Sequence, residues 1–142
     1  MVSFFSIVQM RGSGGERYLP PLKFDNNGLI AVIIQDDGTD EVLMFGFMNR
    51  EAVEKTLQGP YVTLWSRSRK KLWVKGEESG HTQTVKAVYY DCDADALLIR
   101  VDQKVAACHE GYRSCFFRKI EKGESRVIAK KVFDPKEAYG GK

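Results

Sequence analysis

The sequence has few of the features that cross-link a protein or place it in a membrane. Only three cysteines occur in 142 residues, and an odd number does not suit a disulfide framework. No apolar stretch approaches the roughly 20 residues of a membrane-spanning helix. The net charge is only +3, from 22 basic and 19 acidic residues that are well mixed. We therefore expect neither a membrane nor a nucleic acid as a partner.

The N-terminal segment also lacks the elements of a secretory signal. Residues 1–8 are apolar, but no basic residue precedes them and no small-residue cleavage site follows. Because reduced cysteines are typical of the cytoplasm, we expect a cytoplasmic location. The Gly-rich run at 11–15 predicts a flexible break. Residues 1–20 are thus expected to be a flexible N-terminal extension, and residues 21–142 a single domain that ends in a C-terminal strand and tail.

The remaining pattern predicts a mainly β protein, on the border of the α+β class, with one clear helix. Asn49 is a good N-cap, Glu51 lies in the first turn, and Gly59-Pro60 ends the helix, which places it at 49–58. Apolar and β-branched runs separated by turn residues predict strands at 28–35, 41–48, 61–66, 72–75, 82–90, 96–101, 114–120 and 126–133.

Three aspartates are interleaved with other residues in the run Asp91-Cys92-Asp93-Ala94-Asp95. In an extended chain the three carboxylates would share one face, and Cys92 would point to the other. Carboxylates so placed repel one another unless a cation neutralises them, and their hard oxygen atoms suit magnesium or calcium. A solvated acidic turn is the alternative. An EF-hand is excluded, because Ala96 stands where its loop needs glycine.

Cys108 and Cys115 are seven residues apart with Gly111 between them, so one loop can bring both thiolates to a single ion. A lone cysteine is usually a small buried apolar residue, but three cysteines near acids, a histidine and a glycine favour a metal. Three thiolates leave one tetrahedral position of zinc open for a water molecule. No Cys-x-x-Cys or His-x-x-x-His pair is present, which excludes a zinc ribbon and a zincin.

His109 directly follows the second cysteine and has three possible roles. It could be a fourth zinc ligand, a general base, or a hydrogen-bonded structural residue. Three thiolates make a zinc centre formally negative and weaken its Lewis acidity, so a neighbouring base that shares the water proton would compensate. We expect His109 to be the catalytic proton shuttle, with the other two roles left open.

Four cations lie between two tryptophans in the segment from Trp65 to Trp73. If this segment is extended, Trp65, Arg67 and Arg69 project from one face and offer two guanidinium groups beside an aromatic ring. Such a surface suits phosphates and a stacked base, and Lys75 adds a donor. We expect these four residues to bind substrate. A solvated basic hairpin and a single-stranded RNA platform are the alternatives.

Together these segments resemble the phosphoribosyl-AMP cyclohydrolase family of histidine biosynthesis. The likeness covers about residues 24–117, and its motifs include Trp65-Ser-Arg-Ser-Arg69, Leu72-Trp-x-Lys75-Gly76, Asp91-Cys-Asp-x-Asp95 and Ala107-Cys-His-x-Gly111-x-x-Ser-Cys-Phe116. The chain departs from the family pattern at two positions. Val105 stands where the family usually has glycine, and Phe47 stands where it usually has tyrosine.

The resemblance implies a zinc-dependent hydrolase that opens the adenine ring of 1-(5-phosphoribosyl)-AMP at the N1–C6 bond to give the formimino carboxamide ribotide. It implies a mixed, mostly β pseudo-barrel in an intertwined homodimer whose zinc sites take cysteines from both subunits. The implied ligands are Cys92, Cys108 and Cys115 for zinc and Asp91, Asp93 and Asp95 for magnesium. The rival hypotheses are a zinc-stabilised binding protein and a zinc deaminase, whose His-x-Glu and Pro-Cys-x-x-Cys signature is missing.

Overall fold

The structure, a computed structural model, describes residues 19–138, in which a four-stranded mixed sheet carries the core. Its strands lie in the spatial order β2 (Val42–Met48), β1 (Ile30–Asp36), β6 (Ala96–Gln103), β5 (Gln83–Tyr90). The pairs β2–β1 and β6–β5 are antiparallel, and β1 and β6 are parallel. The remaining elements are α1 (Arg50–Gln58), the hairpin β3 (Thr63–Ser66) and β4 (Lys71–Val74), the hairpin β7 (Arg118–Glu121) and β8 (Glu124–Val127), and α2 (Pro135–Ala138).

The predicted mainly β class with one long helix is confirmed. Asn49 caps α1 by accepting a 2.8 Å hydrogen bond from the Ala52 amide, and Gly59 ends it with a positive φ of 70°. The buried face of α1 consists of Ala52, Val53, Thr56 and Leu57. Among residues 19–138, no helix is long and apolar enough to cross a membrane.

The core follows the alternation of the central strands. In β1 the side chains of Ile30, Val32 and Ile34 are buried while Ile33 is 40% exposed, as expected for a strand with one covered face. In β6 the buried side chains are those of Leu97, Ile99 and Val101. These residues form one cluster with the apolar face of α1.

The last two strands differ from the predicted ranges. Residues 114–117 precede β7, because the Ser114 hydroxyl and the Cys115 amide donate to carbonyls of β2 and keep this stretch out of the hairpin. The turn lies at Lys122 and Gly123, which both have positive φ (53° and 78°), as a two-residue hairpin loop requires. That turn pairs Arg118–Glu121 with Glu124–Val127, so the strand predicted at 126–133 ends early.

Other predictions about the architecture stay predictions. Within the described residues the four-stranded sheet is open, with β2 and β5 at its edges, and the pseudo-barrel and the homodimer are not tested. Residues 1–18 of the predicted N-terminal extension lie outside the described part of the chain. Leu19, at its end, packs against the core together with Leu22 and Phe24.

Candidate metal centre and substrate cleft

Two of the three cysteines lie together in the loop that joins β6 to β7, residues 104–117, which we call the thiolate loop. The Ala107 amide donates to the Arg113 carbonyl at 2.9 Å, and the Cys108 amide donates to the Tyr112 carbonyl at 3.2 Å. These bonds fold the loop back and bring Cys108 and Cys115 close enough for Cys108 to affect the charge of the Cys115 thiol. Burial first, and then the neighbouring Cys108, raise the pKa of Cys115 to about 11.

The thiolate loop is docked on the free edge of β2. The Cys115 amide donates to the Leu43 carbonyl at 2.7 Å. The Ser114 hydroxyl donates to the Val42 carbonyl at 2.7 Å and accepts from the Phe116 amide at 2.9 Å. The backbone on both sides of Cys115 is therefore fixed by the sheet, which places one metal-ligand candidate.

Arg113 fixes the other side of the loop, and sequence reasoning missed it. Its guanidinium donates to the carbonyls of Gln103 and Val105, both at 3.0 Å, and to Asp36 Oδ1 at 2.9 Å. Asp36 is only 4% exposed. Burial acts to raise the pKa of Asp36, but hydrogen bonds from Thr39 and Gln103 and the charge of Arg113 outweigh it and lower the pKa. No pattern in the sequence links positions 36 and 113.

Lys75 reaches the thiolate loop from the end of β4. Its Nζ donates to the Ala107 carbonyl at 2.6 Å and lies 5.3 Å from the centroid of the Trp73 ring. Burial lowers the pKa of Lys75, and the charges of Cys115 and Cys108 act in the opposite direction. The residue predicted to bind phosphate is thus engaged with the residue just before Cys108.

The three aspartates converge as predicted, but for a different reason. Residues 91–95 form the turn between β5 and β6 and not an extended run, with Ala94 at a φ of 59°. Asp91 Oδ1 accepts from the Asp95 amide at 3.0 Å, and the Ala94 amide donates to the Asp91 carbonyl at 3.0 Å. One oxygen from each of Asp91, Asp93 and Asp95 lies within 4.8 Å of the others. Only the extended conformation assumed for this run was wrong, because the turn itself gathers the carboxylates.

The electrostatics of this trio fit a cation. A hydrogen bond with Asp91 first, and then the charges of Asp91 and Asp93, raise the pKa of Asp95. The carboxylates thus compete for a proton that a divalent cation would replace. All three are exposed, and oxygen ligands of this kind suit magnesium.

Cys92 lies in the same turn and is exposed. Among residues 19–138, the aspartate trio is the only group of three or more Cys, His, Asp or Glu side chains close enough to hold one ion. A single copy of the chain therefore brings Cys108 and Cys115 together without Cys92.

His109 is exposed and faces a cleft beside the thiolate loop. The cleft has a volume of about 260 Å³ and is lined by residues that include Arg69, Trp73, Lys75, Ser79 and His109. A neighbouring cavity of about 630 Å³ shares Arg69 and Trp73 with it and is lined further by Phe45, Phe47, Trp65 and Arg67. The structure thus gathers the predicted catalytic and substrate-binding residues around two adjoining cavities.

The basic segment is a hairpin turn and not the extended strand that was assumed. Trp65 lies in β3, whereas Arg67 and Arg69 lie in the turn before β4. Ser66 closes this turn, because its hydroxyl accepts from the Arg69 amide at 3.2 Å and its carbonyl from the Lys70 amide at 2.8 Å. The Arg67 guanidinium lies 4.0 Å from the centroid of the Phe47 ring.

A family model described as phosphoribosyl-AMP cyclohydrolase matches residues 44–117. Proteins named phosphoribosyl-AMP cyclohydrolase from Methanococcoides burtonii and Pelotomaculum thermopropionicum are 56% and 54% identical to the chain over 121 and 123 residues. These alignments cover 85% and 86% of this chain and 98% and 95% of the relatives. A third, from Solibacter usitatus, is 51% identical over 82% of this chain and 94% of its own length.

The chain belongs to the phosphoribosyl-AMP cyclohydrolase family. The segment that matches the family model contains the basic hairpin turn, Lys75, the aspartate trio with Cys92, and the thiolate loop up to Phe117. Asp36 lies before that segment. The resemblance read from the motifs is therefore confirmed at the level of the family.

Val105, which stands where the family usually has glycine, has a strained backbone conformation. It has a φ of 58°, in the left-handed region that costs an L-residue roughly 1–2 kcal/mol, and its side chain is 42% exposed. Glycine avoids that cost but loses about 0.5–1 kcal/mol in backbone entropy. We expect Val105→Gly to raise the free energy of unfolding by up to about 1 kcal/mol in urea titrations.

Val132→Gly is the matched control for this substitution. Val132 is 52% exposed, but it is not among the residues with positive φ, so glycine there should only destabilise. If Val105→Gly lowered stability as much as Val132→Gly, the strain at position 105 would be disproved.

Asp36 should make the stability of the fold dependent on acid. Its folded pKa is below the ordinary 3.8, so its contribution is complete above that value and is lost as the pH falls through the folded pKa. We expect Asp36→Asn to lower the free energy of unfolding at neutral pH by about 2–4 kcal/mol, because it leaves the Arg113 charge without its buried partner. The free energy of unfolding of this variant should also depend less on pH in the acid range.

The control is Asp37→Asn, which removes one half of an exposed ion pair with Arg100 and should cost less than about 1 kcal/mol. The two variants are compared by denaturant unfolding at neutral pH and below pH 3.8. Equal losses from both would show that the link between Asp36 and Arg113 is not important for stability.

Proposed function

We propose that the chain hydrolyses 1-(5-phosphoribosyl)-AMP, opening its adenine ring at the N1–C6 bond in histidine biosynthesis. The observation that carries the proposal is the pair Cys108 and Cys115 beside a cleft whose lining includes His109, three basic side chains and two glutamates. The names and the lengths of the matching relatives support the substrate. A location in the cytoplasm is part of the proposal, because thiolate ligands need a reducing compartment.

The zinc site is proposed to be shared between two copies of the chain in a homodimer. Cys108 and Cys115 lie in one loop, close enough for Cys108 to affect the charge of Cys115, and two sulfur ligands so placed fit zinc. Cys92 is exposed and does not reach them within one chain, so the third thiolate comes from Cys92 of a second copy. Each dimer then holds two equivalent sites.

Zinc bound to these thiolates would lower the pKa of a water molecule at its open position and so supply a nucleophile. In the proposed reaction a water oxygen adds to C6 of the N1-alkylated ring, and the N1–C6 bond then breaks. The oxygen becomes the carboxamide carbonyl, one proton goes to the exocyclic nitrogen, and the other goes to N1. His109, exposed on the wall of the cleft, accepts a proton from the water and delivers it to N1.

The two phosphates of the substrate match the two adjoining cavities. Arg69 lies between them, while Arg67 and Trp65 line the larger one, so guanidinium groups can bind phosphate and the indole can stack on a base. Asp91, Asp93 and Asp95 would hold magnesium, which helps to bind a phosphate dianion.

Substitutions of Cys108 and His109 should separate metal binding from proton transfer. We expect Cys108→Ser to lose both zinc and turnover. His109→Asn should keep its zinc and lose about 10²–10⁴-fold in kcat, the range for a general acid–base residue. Turnover is followed by the ultraviolet change on ring opening, and zinc by elemental analysis of the same samples. Full turnover in His109→Asn would disprove the shuttle, and a zinc-loaded, folded wild type without turnover would disprove the reaction.

The shared zinc site makes a prediction about mixed dimers. Cys92→Ser and Cys108→Ser should each be inactive alone. After unfolding and refolding together, half of the dimers are mixed, and one of the two sites in each mixed dimer has all three cysteines. About a quarter of the wild-type activity and zinc should therefore return. Recovery of neither would contradict a site built from both subunits.

A further inference from the structure

The backbone on both sides of Lys75 is fixed by neighbouring segments of the chain. Its amide donates to the Val62 carbonyl at 3.0 Å. The next residue, Gly76, has a φ of 88°, and a Cβ there would lie only 2.5 Å from the carbonyl carbon of His81. Glycine is therefore required at 76, and the chain on both sides of Lys75 is fixed, which aims the side chain at the thiolate loop.

The ammonium group of Lys75 contacts the thiolate loop next to Cys108. It donates to the carbonyl of Ala107 at 2.6 Å, and Ala107 immediately precedes Cys108. When Cys115 and Cys108 are ionised, as metal ligands are, their charges act on this ammonium group. The indole of Trp73 lies on another side, 5.3 Å away, so the ammonium is only partly hydrated.

We propose that Lys75 is a positioning residue of the metal centre, which anchors the thiolate loop through Ala107 and offsets the negative charge of the bound thiolates. The inference rests on the proposed zinc site. Three thiolates around Zn²⁺ leave one net negative charge, and in a partly buried site a nearby cation stabilises it. The role differs from phosphate binding, for which Arg67 and Arg69 remain available in the adjoining cavities.

The test is the metal affinity of Lys75→Met, which keeps the length of the side chain and removes its charge and donors. Zn²⁺ affinity is measured by competition with a chelator, and the thiolate geometry by the absorption of Co²⁺ bound in its place. We expect Zn²⁺ to bind 10–100-fold more weakly, the usual effect of losing a residue that supports metal ligands, with a shifted Co²⁺ spectrum. Lys75→Arg should recover part of the loss, because it keeps the charge with a different geometry.

Lys86→Met is the matched control, since Lys86 is exposed on β5 and should leave both readouts unchanged. A second measurement separates positioning from general stability. Without metal, Lys75→Met should change the free energy of unfolding little, because the lost hydrogen bond to the Ala107 carbonyl and the removal of a partly buried charge act in opposite directions. The larger loss of stability should appear when metal is present.

Three results would overturn the inference. Wild-type affinity for Zn²⁺ in Lys75→Met would show that the ammonium does not support the centre. Equal destabilisation with and without metal would show a purely structural contact. A wild-type protein that binds no metal at Cys108 and Cys115 would remove the zinc site itself and the proposed function with it, which distinguishes that failure from the first two.

Discussion

The guanidinium group of Arg113 joins three segments on which the thiolate loop depends. It binds the buried carboxylate of Asp36 at the end of β1, the carbonyl of Gln103 at the end of β6, and the carbonyl of Val105 at the start of the loop. Because an unpaired buried carboxylate is costly, this contact stabilises both the sheet and the loop, in addition to the bonds from Ser114 and Cys115 to β2. Arg113 also lies between the two cysteines in sequence, so the position of Arg113 constrains both.

The thiolate loop is held by bonds of its backbone as well as by the side chains of Arg113 and Ser114. Beyond the contacts to β2 and Lys75, the Val132 amide donates to the Gly111 carbonyl at 2.7 Å, and a Cβ on Gly111 would lie 2.9 Å from the Phe133 carbonyl oxygen. The segment after β8, for which the sequence indicated no role, thus packs on the loop. Ligands held in this way lose little freedom when the ion binds.

Local rules predicted the parts of this structure that local interactions decide. Apolar, β-branched runs between turn residues predicted the central strands, and Asn49 with Gly59 predicted the helix. The sequence also identified the aspartate trio and the paired cysteines, although residues 91–95 turn where an extended chain was assumed. What it could not provide were contacts between distant positions. The link from Asp36 to Arg113 and the bond from Lys75 to Ala107 span 77 and 32 residues, and neither has a local signature.

The turn at residues 91–95 gives a physical reason for the close spacing of hard and soft ligands. Asp91, Asp93 and Asp95 repel one another, and a cation among them would fix the turn that also carries Cys92. If Cys92 completes the thiolate site of a second copy, then the cation on one subunit also orients a zinc ligand of the other. A cation held by the three aspartates would thus act on the reaction in two ways, by binding a substrate phosphate and by holding the third thiolate. Loss of one aspartate should then weaken zinc binding in the dimer, although no aspartate touches the zinc.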